Sequence, residues 1–140
     1  MERNNQWLKE RLNWLHQKYF IDVKIANTIL VRFGRITKTR LGSITTKKLK
    51  RFSQPVTVIS LNKLLKLEEV PLYVIDTVLA HEFTHYCHGF HSPLPKLYRY
   101  PHQAGVVDQE LKKRGLSEAL QQERKWTKTK FLKIYQQHLQ

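Results

Sequence analysis

Apolar residues recur every three to four positions at the start of the chain: Leu8, Leu12, Leu15 and Tyr19, with Trp7 and Trp14 widening the stripe. That period predicts an amphipathic helix. The pattern then changes character. Between residues 22 and 33 the β-branched Val23, Ile25, Thr28, Ile29 and Val31 dominate, which favours a strand, and Gly34 punctuates it. A second extended stretch, rich in Thr and Ile, is expected around residues 41–49. Pro55 precedes Val56-Thr57-Val58-Ile59-Ser60-Leu61, the clearest strand of the chain. Three strands in succession imply an antiparallel meander or a small mixed sheet.

From Pro71 the period is helical again. Leu72, Ile75, Leu79, Phe83 and Tyr86 form one face, and Val74, Val78, His81, His85 and His88 form another. A helix apolar on most sides is a buried helix. Gly89 and Pro93 end it, and residues 90–101, with Pro93, Pro95 and Pro101, are expected to form a loop. A further helix is predicted over residues 102–114, closing at Gly115. Ser117 can cap a last helix that turns Ala119, Trp126, Phe131, Ile134 and Tyr135 toward the core. The expected fold class is therefore α+β, with no internal repeat and a single domain over residues 1–140. Its order is N-terminal helix, small three-stranded sheet, buried helix, loop, second helix and C-terminal helix.

Composition narrows the class. A chain of 140 residues with 41% hydrophobic residues buries a sizeable core without disulfides or a structural metal. Cys87 is the only cysteine, which excludes an internal disulfide and a cysteine-based zinc finger. An intracellular, reducing, cytoplasmic setting is the expectation. The N-terminus opens onto a charged amphipathic stretch rather than an apolar signal core. The longest apolar run, residues 70–75, stops at Asp76 and is too short to cross a bilayer, so no membrane partner is expected.

Charge adds a candidate partner. There are 25 Lys and Arg against 11 Asp and Glu, a net charge of +14. No acidic residue lies between Asp22 and Glu68, whereas Lys24, Arg32, Arg35, Lys38, Arg40, Lys47, Lys48, Lys50, Arg51, Lys63 and Lys66 all do. A field of that sign attracts polyanions, so the basic segment 24–66 is a candidate nucleic-acid contact. The plainer alternative is a solvated, soluble surface.

The chemistry concentrates at His81-Glu82-Phe83-Thr84-His85. Two His four apart on a helix project from one face, one turn above the other. That spacing lets both bind one zinc ion at about 2.0–2.1 Å. Glu82 stands about 100° around the helix, near the metal without ligating it. There it can take a proton from the water that zinc activates and deliver it to a leaving amine. Two imidazoles and a carboxylate on a buried helix are costly without a metal or other partners.

A catalytic zinc needs a third protein ligand and an open position. Three candidates arise. His91 lies at the metzincin spacing from His81, but His88 occupies the position where that class needs Gly, and Met1 is the only methionine. Glu110, with Asp108 nearby, could serve as a gluzincin-type ligand. His102, behind the Pro-containing loop at the predicted start of a helix, is the favoured candidate. Tyr98 or Tyr100 could stabilise an oxyanion, although ordinary loop packing explains both.

In order and motif the chain resembles the SprT-like family of zinc metallopeptidase domains over about residues 5–116. The likeness rests on the N-terminal helix, the basic strand region Val31-Arg32-Phe33-Gly34-Arg35, the strand Val58-Ile59-Ser60-Leu61-Asn62, the run from Asp76 to His85, and the loop to His102. The resemblance implies a zincin-like fold, zinc held by His81, His85 and His102, and Glu82 as catalytic base acting on a protein or peptide substrate. Eukaryotic members cleave proteins crosslinked to DNA, so the resemblance also implies DNA-associated substrates. The chain departs from the family in having Gln103 where Gly typically follows the third His, and in lacking a C-terminal cysteine ribbon. Two rival functions remain open: a nucleic-acid-binding module with a structural zinc, and a compact gluzincin-like peptidase using Glu110.

Overall fold

The computed structural model describes residues 2–140. Helix α1, Asn5–Tyr19, is capped by the Asn4 side chain, which accepts the Trp7 N–H at 2.8 Å. It buries Leu8, Leu12 and Leu15, as their spacing predicts. Trp14 remains 39% exposed and stacks instead under the Arg11 guanidinium, 4.1 Å from the ring centroid.

Strands β1 (Ile29–Phe33), β2 (Gly42–Lys47) and β3 (Val56–Leu61) form one sheet in the order β1-β3-β2. β3 runs parallel to β1 and antiparallel to β2, with Ile59 opposite both Val31 and Ile44. The sheet is therefore the mixed one of the two expected forms. β3 lies in the middle and is buried at nearly every position, as a central strand should be. β2 is an edge strand with one side unpaired.

The first strand begins later than its β-branched composition predicts. Residues 21–28 form turns and an irregular connection, because side chains meet their polar groups in place of a ladder. Tyr86 Oη donates to Asn27 Oδ1 at 2.6 Å and accepts the Ala26 N–H at 3.0 Å. Asn27 Nδ2 in turn donates to Thr57 Oγ1 and the Pro55 carbonyl.

Helix α2, Leu72–Cys87, crosses the centre of the molecule. Its apolar face packs Ile75, Leu79 and Phe83 into the core, and Phe83 lies edge-on to Phe20 at 5.0 Å. Its orientation against α1 is fixed by a two-pronged pair, Arg11 Nε to Asp76 Oδ1 at 2.6 Å and Arg11 Nη2 to Asp76 Oδ2 at 2.8 Å.

Helix α3 spans Val106–Lys113 and α4 spans Ser117–Trp126. A π turn over Thr127–Phe131 joins α4 to α5, Leu132–Leu139. The expected C-terminal helix is thus one rod with a widened turn. At that turn Thr127 and Thr129 hydroxyls donate back to the Glu123 and Lys125 carbonyls. Trp126, Phe131 and Ile134 are buried as predicted, Ala119 and Tyr135 only partly, and Leu116 and Leu120 join them. Among the described residues no helix is long and apolar enough to cross a membrane.

Candidate metal centre

His81 and His85 stand one turn apart on α2 with their Nε2 atoms 3.2 Å from each other. The His102 ring lies 5.4 Å from that of His81 and 4.7 Å from that of His85. One nitrogen from each of the three falls within 4.8 Å of the others, so the three residues can hold a metal ion. Two nitrogens at 2.0–2.1 Å from one tetrahedral ion stand about 3.3 Å apart, so the α2 pair already has ligand spacing. Burial pushes His81 down to about 4, helped by the neighbouring His102. Burial and the imidazoles of His81 and His102 push His85 down to about 3. Both rings are therefore neutral at physiological pH, the form that binds metal. His85 Nδ1 is buried without a hydrogen-bond partner among the described residues.

His102 arrives by a turn that needs glycine. Two residues past the end of α2 the chain turns at Gly89, where φ is +84° and an added Cβ would collide with the backbone of Pro95 and Lys96. Phe90 N–H bonds to the His85 carbonyl and Leu97 N–H to the His88 carbonyl, folding the loop back along the helix. His102 sits in a turn ahead of the short helical segment Gln103–Gly105, and α3 starts only at Val106. The expected helix start at 102 is corrected accordingly. Left-handed residues at Ala104 and Gly105 interrupt the helical path there.

Glu82 is 6% exposed, and burial pushes its carboxyl up to about 7, with the nearby Arg40 pulling it partly back. The strand passing over it is β2. A Cβ on Gly42 would stand 2.7 Å from Val78 Cγ1 and 3.2 Å from Glu82 Oε2, so only a residue without a side chain lets β2 come this close. Gly42 is the position at this site that the sequence pattern did not single out; its signal was a glycine at the mouth of a strand.

These residues open onto a cleft of about 490 Å³. Ser43, Ile44 and Thr45 of β2, Phe90 and Pro101 line it together with the three His and Glu82. His91 also lines the cleft, but its Nδ1 lies 3.2 Å from Thr46 Oγ1, away from the histidine group.

Glu110 is held elsewhere. Its carboxylate meets His88 Nε2 at 3.3 Å and accepts from Arg114 Nε at 2.9 Å, and Arg114 goes on to the Tyr19 carbonyl and Asp22. Asp108 pairs with Arg124 and ties α3 to α4. Tyr98 packs edge-on against His88 with ring centroids 4.9 Å apart, Tyr100 is 58% exposed, and neither lines the cleft. Burial pushes the Cys87 thiol up to about 12, which removes it as a nucleophile.

The basic segment is spread over several elements. Arg32 stands in β1, Arg35, Lys38 and Arg40 in the β1–β2 connection, and Lys47 at the end of β2. Comparison with family models, with curated proteins and with solved structures finds no match to the chain.

Proposed function

We propose that this chain is a zinc-dependent metallopeptidase, with His81, His85 and His102 as ligands and Glu82 as general base. The observation that carries this is the convergence of three imidazoles beside a buried carboxylate in one open cleft. A set of three imidazoles suits zinc. No fourth His, Cys, Asp or Glu joins the group among the described residues, which leaves room for a substrate or water.

Zinc held by His81, His85 and His102 would supply Lewis acidity toward a peptide carbonyl and toward water. Glu82, raised to about 7, is placed to accept a proton from the attacking water and pass it to the departing amine. With a cation held by the adjacent imidazoles, the Glu82 carboxyl would lie closer to its ionised, basic form. The unpaired side of β2 offers backbone N–H and C=O groups to an extended peptide, which would lie along the cleft as an added strand.

This assignment groups the chain with the SprT-like, zincin-like peptidases and favours a protein or peptide substrate. A gluzincin-type site with Glu110 lacks support, since that carboxylate is engaged by His88 and Arg114. A closed structural zinc would need a fourth protein ligand, and His91 is turned toward Thr46. Replacement Glu82→Gln tests the mechanism. Zinc is retained and peptide hydrolysis falls at least about a hundredfold; hydrolysis at the parent rate would refute it.

A further inference from the structure

Beside the cleft, and continuous with it, lies a second groove of about 430 Å³ carrying Arg32, Arg35 and Arg40. Arg40, Gly42 and Ser43 line both. Among the described residues none of these three arginines pairs with a carboxylate. We propose that this groove is a specificity subsite that takes an acidic side chain of the peptide substrate, on the side of the scissile bond that lies toward Gly42. The inference rests on the metallopeptidase assignment and adds a substrate class to it.

The groove is built rather than merely charged. Asn62, 3% exposed, donates to the Thr37 carbonyl at 2.9 Å and the Arg40 carbonyl at 3.0 Å, and accepts the Leu64 N–H at 3.0 Å. Thr37 Oγ1 donates to the same Arg40 carbonyl at 2.8 Å. At the other end of the connection, Gly34 N–H bonds to the Leu61 carbonyl at 2.8 Å. The loop bearing Arg35 and Arg40 is thereby pinned to the end of β3, which lowers the ordering cost of binding. Arg32 Nε donates to Ser60 Oγ at 3.0 Å, which sets that guanidinium over the sheet and leaves its Nη groups for a ligand.

Size and continuity select the occupant. A groove of this volume suits one or two side chains. A nucleic-acid module, by contrast, covers about 600–1,000 Å² of continuous surface. The groove meets the cleft at Arg40, Gly42 and Ser43, so a peptide lying along the free side of β2 passes its mouth there. Guanidinium forks match carboxylates in two-pronged geometry.

The test uses the full-length, zinc-loaded protein and peptides of one parent sequence. Glu, Gln or Lys is placed in turn at each position on both sides of the cleaved bond. The expected result is a kcat/KM for Glu about tenfold or more above that for Lys, confined to one side of the bond and shrinking with added salt. The pair Arg32→Glu with Arg35→Glu reverses the order, and Arg32→Gln with Arg35→Gln levels it. Hydrolysis without a charge preference, or with one that survives charge reversal, overturns the subsite while leaving the peptidase intact.

Binding of the same peptides, fluorescently labelled, to the Glu82→Gln protein gives a second readout independent of turnover. If the parent hydrolyses no peptide yet Glu-selective binding still depends on Arg32 and Arg35, the peptidase assignment falls and an acidic-peptide groove remains. A single-stranded DNA oligonucleotide that binds through those arginines, where acidic peptides do not, would overturn the proposal in favour of nucleic acid.

Discussion

Replacing Gly42 by Ala introduces one methyl group where β2 crosses the Glu82 carboxylate. Gly42 lies outside the left-handed backbone region, so alanine fits the chain's local conformation. At an open site such a change stabilises by about 0.4–1 kcal/mol, through the unfolded chain. Here the new Cβ would lie 2.7 Å from Val78 Cγ1, a buried side chain, and 3.2–3.3 Å from Glu82 Oε2 and Cγ. Overpacking of this kind costs about 1–3 kcal/mol. The net expectation is a loss of about 1–2 kcal/mol, read as a fall in Tm of about 3–8 °C. Because Glu82 must yield as well as Val78, peptide hydrolysis falls by about tenfold or more while zinc stays bound. Thermal unfolding of the zinc-loaded proteins and kcat/KM on one peptide are the assays. A Gly42→Ala protein as stable and as active as the parent would show that β2 does not press on Glu82.

Three further outcomes follow from particular contacts. Tyr86→Phe removes the hydroxyl that joins Asn27 and Ala26 to α2, so stability falls by about 1 kcal/mol with zinc content unchanged; an unaltered denaturation midpoint contradicts this. Burial pushes the Glu110 carboxyl up, but the His88 hydrogen bond and the charge and hydrogen bond of Arg114 outweigh it and leave it below its ordinary value. Its stabilising contribution is therefore present above the unfolded value of about 4.3 and lost as pH falls through the lower folded value. Denaturation of parent and Glu110→Gln proteins between pH 6 and pH 3 reads this as a stability gap that closes on acidification, and a constant gap would contradict it. Cutting the Arg11–Asp76 pair with Asp76→Asn loosens α2 from α1 and costs about 1–3 kcal/mol, measured by denaturant titration; a shift below 0.5 kcal/mol would mean the pair is idle.

The parts of the fold governed by local periodicity were legible in the sequence. Leu8, Leu12 and Leu15 announced α1, and the run from Val56 to Leu61 matched its strand residue for residue. The α2 spacing also put His81, Glu82 and His85 where they stand. Features set by contacts distant in sequence were harder to read. The late start of β1 depends on Tyr86 reaching across 59 residues to Asn27. The engagement of Glu110 depends on His88 and Arg114, which place it in a separate network. The role of Gly42 appears only when β2 and α2 are packed together, and the arginine groove needs Asn62 to hold the connection between β1 and β2. His102 lay between these cases: its residue type and loop were readable, while its arrival beside His85 depends on the Gly89 turn.

Metal content of the purified protein, measured beside His102→Ala and Glu110→Ala variants, tests the central claim most directly. One zinc ion per chain is predicted for the parent, lost with His102→Ala and kept with Glu110→Ala. A parent that binds no zinc, or zinc retention indifferent to His102, would contradict the proposed ligand set and the peptidase built on it.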